Sequence, residues 1–113
     1  MEADIDEAVG TIDAVRGLAV LRLTQEALTN VAKHAGADAR ARLRVAVEDG
    51  DVAWEVSDDG GPGSVPPAPG GGHGLTGMRE RVALYGGTLQ AGPLPGRGFR
   101  VRARLPLAAG QTS

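Results

Sequence analysis

The 113 residues are enough for one small domain with a single core, drawn from a hydrophobic share of 42% that holds only three aromatics, Trp54, Tyr85 and Phe99. A formal net charge of -2 excludes a global basic field for nucleic acid, and the absence of cysteine excludes disulfides and thiolate-held metals. Cysteine-free composition fits a reducing cytoplasm. With no signal peptide and no run near the roughly 20 apolar residues of a span, any membrane anchor belongs to a longer parent.

Residues 1–16 are acidic and weakly patterned, which reads as a linker or a short strand. A helix is expected from about 17 to 35, where Leu18, Leu21, Leu28, Val31 and Ala35 recur at helical spacing and Gly36 supplies a stop. Ala41, Leu43, Val45 and Val47 then alternate with Arg42, Arg44 and Ala46, the mark of a strand with one buried face. Asp49-Gly50-Asp51 is a tight hairpin signal, and Val52, Trp54 and Val56 alternate on the return strand. Residues 60–72 are dense in Gly and Pro and read as a mobile loop. Leu75–Tyr85 is a second helix, closed by Gly86-Gly87. Thr88–Ala91 and Phe99–Leu107 are two more strands around a Gly92–Gly98 turn. The arginines of 97–104 alternate with apolar residues, as on the solvated face of a strand. The order predicts an α+β fold, a two-layer α/β sandwich with helices on one face of a mostly antiparallel sheet. It would occupy residues 17–107, with a small, polar, disordered tail at 108–113.

Three motifs carry chemistry. In the first helix, Glu26, Asn30, Lys33 and His34 fall within about a third of the circumference. The Asn30 amide oxygen suits Mg²⁺, an ion that keeps waters and phosphate oxygens. Glu26, one turn earlier, can orient or deprotonate a nucleophile, and Lys33 and His34 can meet phosphate charge. The same spacing also describes a solvated helix face. Asp58 ends a strand before Gly60 and Gly61, where its carboxylate could accept from an exocyclic amine of adenine. A plain turn Asp has the same local pattern. Gly70–Gly77, with Gly72, His73 and Gly74, has the character of a phosphate cradle running into a helix N-terminus near Leu75. It is neither a P-loop nor a dinucleotide fingerprint. Taken in this order, the motifs describe a nucleotide pocket: a helix with a metal ligand, an acid at a strand end and a glycine lid.

The chain resembles the ATP-binding catalytic domain of sensor histidine kinases, within the ATPase superfamily of the Bergerat fold shared with gyrase and mismatch-repair proteins. Gln25–Ala35 is similar to the N-box, Asp58–Gly63 to the G1 box and Gly72–Met78 to the G2 box. Gly-Met-Arg-Glu-Arg-Val at 77–82, then Gly86-Gly87 and Arg102-Ala103-Arg104-Leu105-Pro106, resemble the subfamily that pairs with response regulators of the LuxR/NarL class. The resemblance covers about 18–107. It implies ATP and Mg²⁺ as ligands. Asn30 would be the Mg²⁺ ligand and Glu26 the catalytic acid beside it. Lys33 and His34 would lie near the phosphates and Asp58 on the adenine amine, with Gly60 at the close backbone approach. Gly72, Gly74 and Gly77 would form the lid hinge, and His73, Leu75 and Met78 would belong with them to the ATP-binding set.

Two positions depart from the family pattern. Pro62 stands where the G1 box carries its last glycine, and Phe99 where the last strand often begins with Thr. Neither His34 nor His73 lies on a dimerisation helix, and no such helix precedes residue 17. The implied reaction therefore needs a phosphoacceptor domain as partner. Two alternatives accompany this reading: an anti-sigma-factor serine kinase of the same superfamily, and a degenerate nucleotide-binding scaffold.

Overall fold

The computed structural model describes residues 1–36, 39–60 and 75–107. Strand β1 is Glu2–Ile5, helix α1 Ala14–His34, β2 Ala41–Glu48, β3 Asp51–Asp58, α2 Leu75–Ala83, β4 Thr88–Pro93 and β5 Phe99–Pro106. The strands form one sheet in the order β1-β2-β3-β5-β4, parallel at β1/β2 and antiparallel elsewhere. The α+β sandwich expected from the sequence is present. The weakly patterned start contributes the short edge strand β1, followed by a 3-10 turn at Glu7–Thr11.

Local chemistry sets each boundary. The Asp13 side chain accepts from the Arg16 backbone N–H at 3.2 Å and caps α1, whose first residue, Ala14, lies three before the expected start. Asp49 (φ 52°) and Gly50 (φ 80°) form a two-residue turn with both central residues left-handed, which matches the twist of an antiparallel pair. After α2, the Gly87 N–H donates to Val82 O and the Gly86 N–H to Ala83 O, with Gly86 left-handed at φ 73°. This is the glycine-ended helix stop that the Gly86-Gly87 pair announces.

One sheet face makes the core. Leu43 and Val45 of β2, Val52, Trp54 and Val56 of β3, and Val101, Ala103 and Leu105 of β5 pack against Leu23, Met78 and Val82 of the two helices. Trp54 is buried, and its indole N–H donates to Thr24 Oγ1 at 3.0 Å, fixing α1 over the centre of β3. Arg16 ties the start of α1 to the other layers. Its guanidinium lies 5.6 Å from the Tyr85 ring centroid and donates to Pro106 O at 2.8 Å. The opposite sheet face is a charge ladder: Asp4, Arg44, Glu55, Arg102 and Gln90 face one another across all five strands. Arg104 meets Asp51 and Glu48 there, so the arginines of β5 lie on the solvated face expected of them.

The buried side of α1 agrees with the expected one at Leu28 and Val31, which pack against the core, and differs over the first turns. Leu18 and Leu21 are 53% and 51% exposed, whereas Ala19, Leu23 and Ala27 are buried. The first turns of α1 are apolar on both sides, so periodicity alone is ambiguous there. The small Ala19 and Ala27 beside Leu23 let the helix approach a sheet whose centre is filled by Trp54.

Candidate functional site

The buried stripe of α1 runs Ala19, Leu23, Ala27 and then turns polar. Three and seven residues past Ala27, on the same side of the helix, come Asn30 and His34, with the apolar Val31 beside them; all three share a small cavity with Asp58, Phe99, Val56 and Val101. The polar residues thus continue the line of the core stripe rather than occupying a separate face. Asp58 is the last residue of β3, and Phe99, first of β5, is its register partner. Around the helix from this cavity, Glu26, Asn30, Lys33, Gln25, Thr29 and Met78 line a groove of about 320 Å³. Asn30 borders both spaces. The structure therefore brings Glu26, Asn30, Lys33, His34, Asp58 and Met78 to one end of the α1/sheet interface.

The strand end holding Asp58 is tightly built. Gly60 is buried and left-handed at φ 82°, and its N–H donates to Asp58 Oδ1 at 2.8 Å. Asp59 is structural: its Oδ1 accepts from the Arg40 N–H at 2.9 Å, and its carbonyl accepts from Arg97 Nε at 2.9 Å. Gly98 closes the other side. It has φ 108°, and a Cβ there would lie 2.2 Å from Asp58 O. Only glycine allows β5 to start so close to the end of β3.

Leu75, Gly77 and Met78 occupy the first turn of α2, with Met78 fully buried under α1. Gly77, the expected hinge, is helical and has open space at its Cβ position. Gly72, His73, Gly74 and Pro62 lie outside the described residues, as do the other residues expected to form the lid and residues 108–113. Two site features escaped the sequence reading. Arg81 of α2 donates to Glu26 Oε1 at 2.6 Å, and Phe99 walls the cavity beside Asp58. The first had no signal, because 55 residues separate the partners. The second was signalled only as a departure from a family pattern.

The donors suit the ligands they are expected to take. Asn30 and Glu26 offer hard oxygens, the type Mg²⁺ accepts. Among the described residues no three His, Cys, Asp or Glu side chains form a metal cage.

Residues 16–109 match the family model described as "Histidine kinase-, DNA gyrase B-, and HSP90-like ATPase". The chain belongs to this ATPase family. It is 41% identical over 87 residues to the signal transduction histidine-protein kinase/phosphatase UhpB of Salmonella typhimurium, covering 77% of this chain and 17% of that protein. To the nitrate/nitrite sensor protein NarQ of Escherichia coli it is 34% identical over 102 residues, covering 90% and 18%. The chain thus spans under a fifth of the length of these two relatives. Among solved structures, the blue-light activated histidine kinase EL346 of Erythrobacter litoralis superposes with a TM-score of 0.75 at 25% identity, covering 99% of this chain and 36% of that one. The ATP binding domain of PrrB from Mycobacterium tuberculosis gives 0.61 at 26% identity, covering 80% and 69%. Together these identify the ATP-binding catalytic domain of the sensor histidine kinase type, with the histidine kinase ATPase fold. Among the described residues no helix is long and apolar enough to cross a membrane.

Proposed function

We propose that this domain binds ATP with Mg²⁺ and donates the γ-phosphoryl group to a histidine on a separate dimerisation and phosphoacceptor helix. It would act as the cytoplasmic catalytic domain of a two-component sensor kinase that signals to a LuxR/NarL-class response regulator. The observation that carries the reading is the meeting of Asn30 and His34 with Asp58 where the core stripe of α1 turns polar, in a chain matching the ATPase family over 16–109. Asp58 would accept the adenine amine, beside the Phe99 ring. Asn30 would hold Mg²⁺ and Lys33 would face the phosphates across the groove. Glu26 would orient the incoming nucleophile. Phosphoryl transfer asks mostly for positioning and charge neutralisation, which these groups can supply. Relatives that are sensor kinases favour this reading over an anti-sigma-factor kinase.

The test is base selectivity. The wild type should prefer ATP to GTP in competition calorimetry, because guanine presents a carbonyl where adenine presents its amine. Asp58→Asn should lose most of that preference, on the order of tenfold for one charge-assisted hydrogen bond. Equal binding of ATP and GTP by the wild type would contradict the assignment of Asp58.

A further inference from the structure

We propose that Arg81 is the positioning residue for the Glu26 carboxylate. The inference rests on the reading of Glu26 above and adds a residue to it. Arg81 Nη2 donates to Glu26 Oε1 at 2.6 Å, a short charge-assisted contact between α2 and α1. Only one carboxylate oxygen is engaged by this bond. The other is left to a nucleophile or a bridging water on the groove that Asn30, Lys33 and Met78 share with Glu26.

The base of Arg81 is rigid. Met78 one turn before it and Val82 directly after it are both fully buried, so α2 is anchored on either side of the arginine. Glu26 by contrast has three rotatable bonds and is 36% exposed in its side chain. Without a partner its carboxylate would sample several rotamers. The guanidinium converts it to one placement, which is the condition an orienting acid must meet. The arrangement has a further mark. Arg81 Nε is buried and has no hydrogen-bond partner among the described residues. Such a donor is uncommon, and it leaves the hydrogen bonding of this side chain concentrated on Glu26.

The contact also ties the acid to α2, which begins at Leu75. Seating of α2 against α1 and orientation of Glu26 are then one event. Lysine is a poor substitute, since its ammonium lacks the planar fork and would hold the carboxylate less tightly.

Nitrogen-15 spectra of the arginine side chains, ATP·Mg²⁺ calorimetry and γ-phosphoryl transfer by the full-length kinase test this in wild type, Arg81→Ala, Arg81→Lys, Glu26→Gln and the Arg81→Ala/Glu26→Gln pair. In the wild type, rotation of the Arg81 guanidinium should be slowed by its carboxylate partner, and Glu26→Gln should release it. Arg81→Ala should leave ATP affinity within about twofold while lowering turnover by about ten- to a hundredfold, the scale of a misplaced catalytic group. Arg81→Lys should recover part of the loss, and the pair should be no slower than Glu26→Gln alone. A freely rotating Arg81 in the wild type would overturn the proposal, as would losses that multiply in the pair or that fall on ATP affinity alone. Failure of the wild type to bind ATP is a different outcome. It would sink the nucleotide reading, and with it a role in transfer, while the spectra would still report whether Arg81 holds Glu26.

Discussion

Replacing Gly98 with alanine separates two costs at the strand end that carries Asp58. The backbone there has φ 108°, and a built Cβ sits 2.2 Å from Asp58 O, 3.2 Å from Asp58 C and 3.3 Å from Asp59 C. Those atoms are backbone, tied by the β3/β5 register, and cannot swing aside as a side chain would. An unstrained contact is near 3.5 Å, so β5 and β3 must part by roughly 1 Å. Left-handed backbone costs an alanine about 1–2 kcal/mol, and overpacking against a fixed group adds about 1–3 kcal/mol. The expected loss is therefore about 2–5 kcal/mol, a large part of the roughly 5–15 kcal/mol that holds such a domain together. Two neighbouring glycines provide the controls. Gly96 has φ 83° with nothing within 4 Å of its Cβ position, so Gly96→Ala should lose only the backbone contribution, about 1–2 kcal/mol. Gly92 in β4 has neither a positive φ nor a nearby atom, so Gly92→Ala should be neutral or stabilising by up to about 1 kcal/mol. Urea denaturation of the three variants measures the order directly. A Gly98→Ala protein no less stable than Gly96→Ala would refute the claim that β5 starts in contact with the Asp58 carbonyl.

Two more perturbations test how α1 is seated. Leu23 is fully buried, so Leu23→Ala should cost about 2–5 kcal/mol in denaturant, whereas Leu18→Gln on the exposed side should change stability by less than about 0.5 kcal/mol. The reverse order would restore the stripe read from periodicity. The Asp13 carboxyl is held below its ordinary 3.8, first by the Arg16 backbone N–H; desolvation opposes this, and the Arg16 side chain adds to the lowering. A depressed carboxyl stabilises the fold above the unfolded value and loses that contribution as pH falls through the folded one. Urea midpoints measured below about pH 4 should therefore fall less steeply for Asp13→Asn than for the wild type. Parallel slopes would remove Asp13 from the acid response.

Much of this arrangement was legible because short-range rules fix it. Asp49-Gly50 has one good geometry between alternating strands, and Gly86-Gly87 one good way to end α2, so both were readable from residue types alone. The alternation of β2, β3 and β5 carried their buried faces, and the arginines between those positions carried the solvated one. The register of α1 was harder. Leu18 and Leu21 outweigh Ala19 and Ala27 in apolarity, and only the bulk of Trp54 from β3 makes the small stripe the better fit. The site shows the same division. Glu26, Asn30, Lys33 and His34 share a helix, so their nearness follows from 3.6 residues per turn. That Asn30 and His34 meet Asp58 depends on how far α1 extends along β3, and the Arg81–Glu26 contact depends on how α2 crosses α1. Both are tertiary facts with no local pattern. Gly98 is intermediate: a glycine before a strand is visible, but its need for close approach to Asp58 is not.

The central claim is a nucleotide pocket built around Asn30. Calorimetric titration of ATP, with and without Mg²⁺, into the wild type and Asn30→Ala tests it most directly. Binding that strengthens with Mg²⁺ in the wild type and loses this metal dependence in Asn30→Ala is the predicted result. No binding to the folded wild type, or an Mg²⁺ effect unchanged by Asn30→Ala, would contradict it.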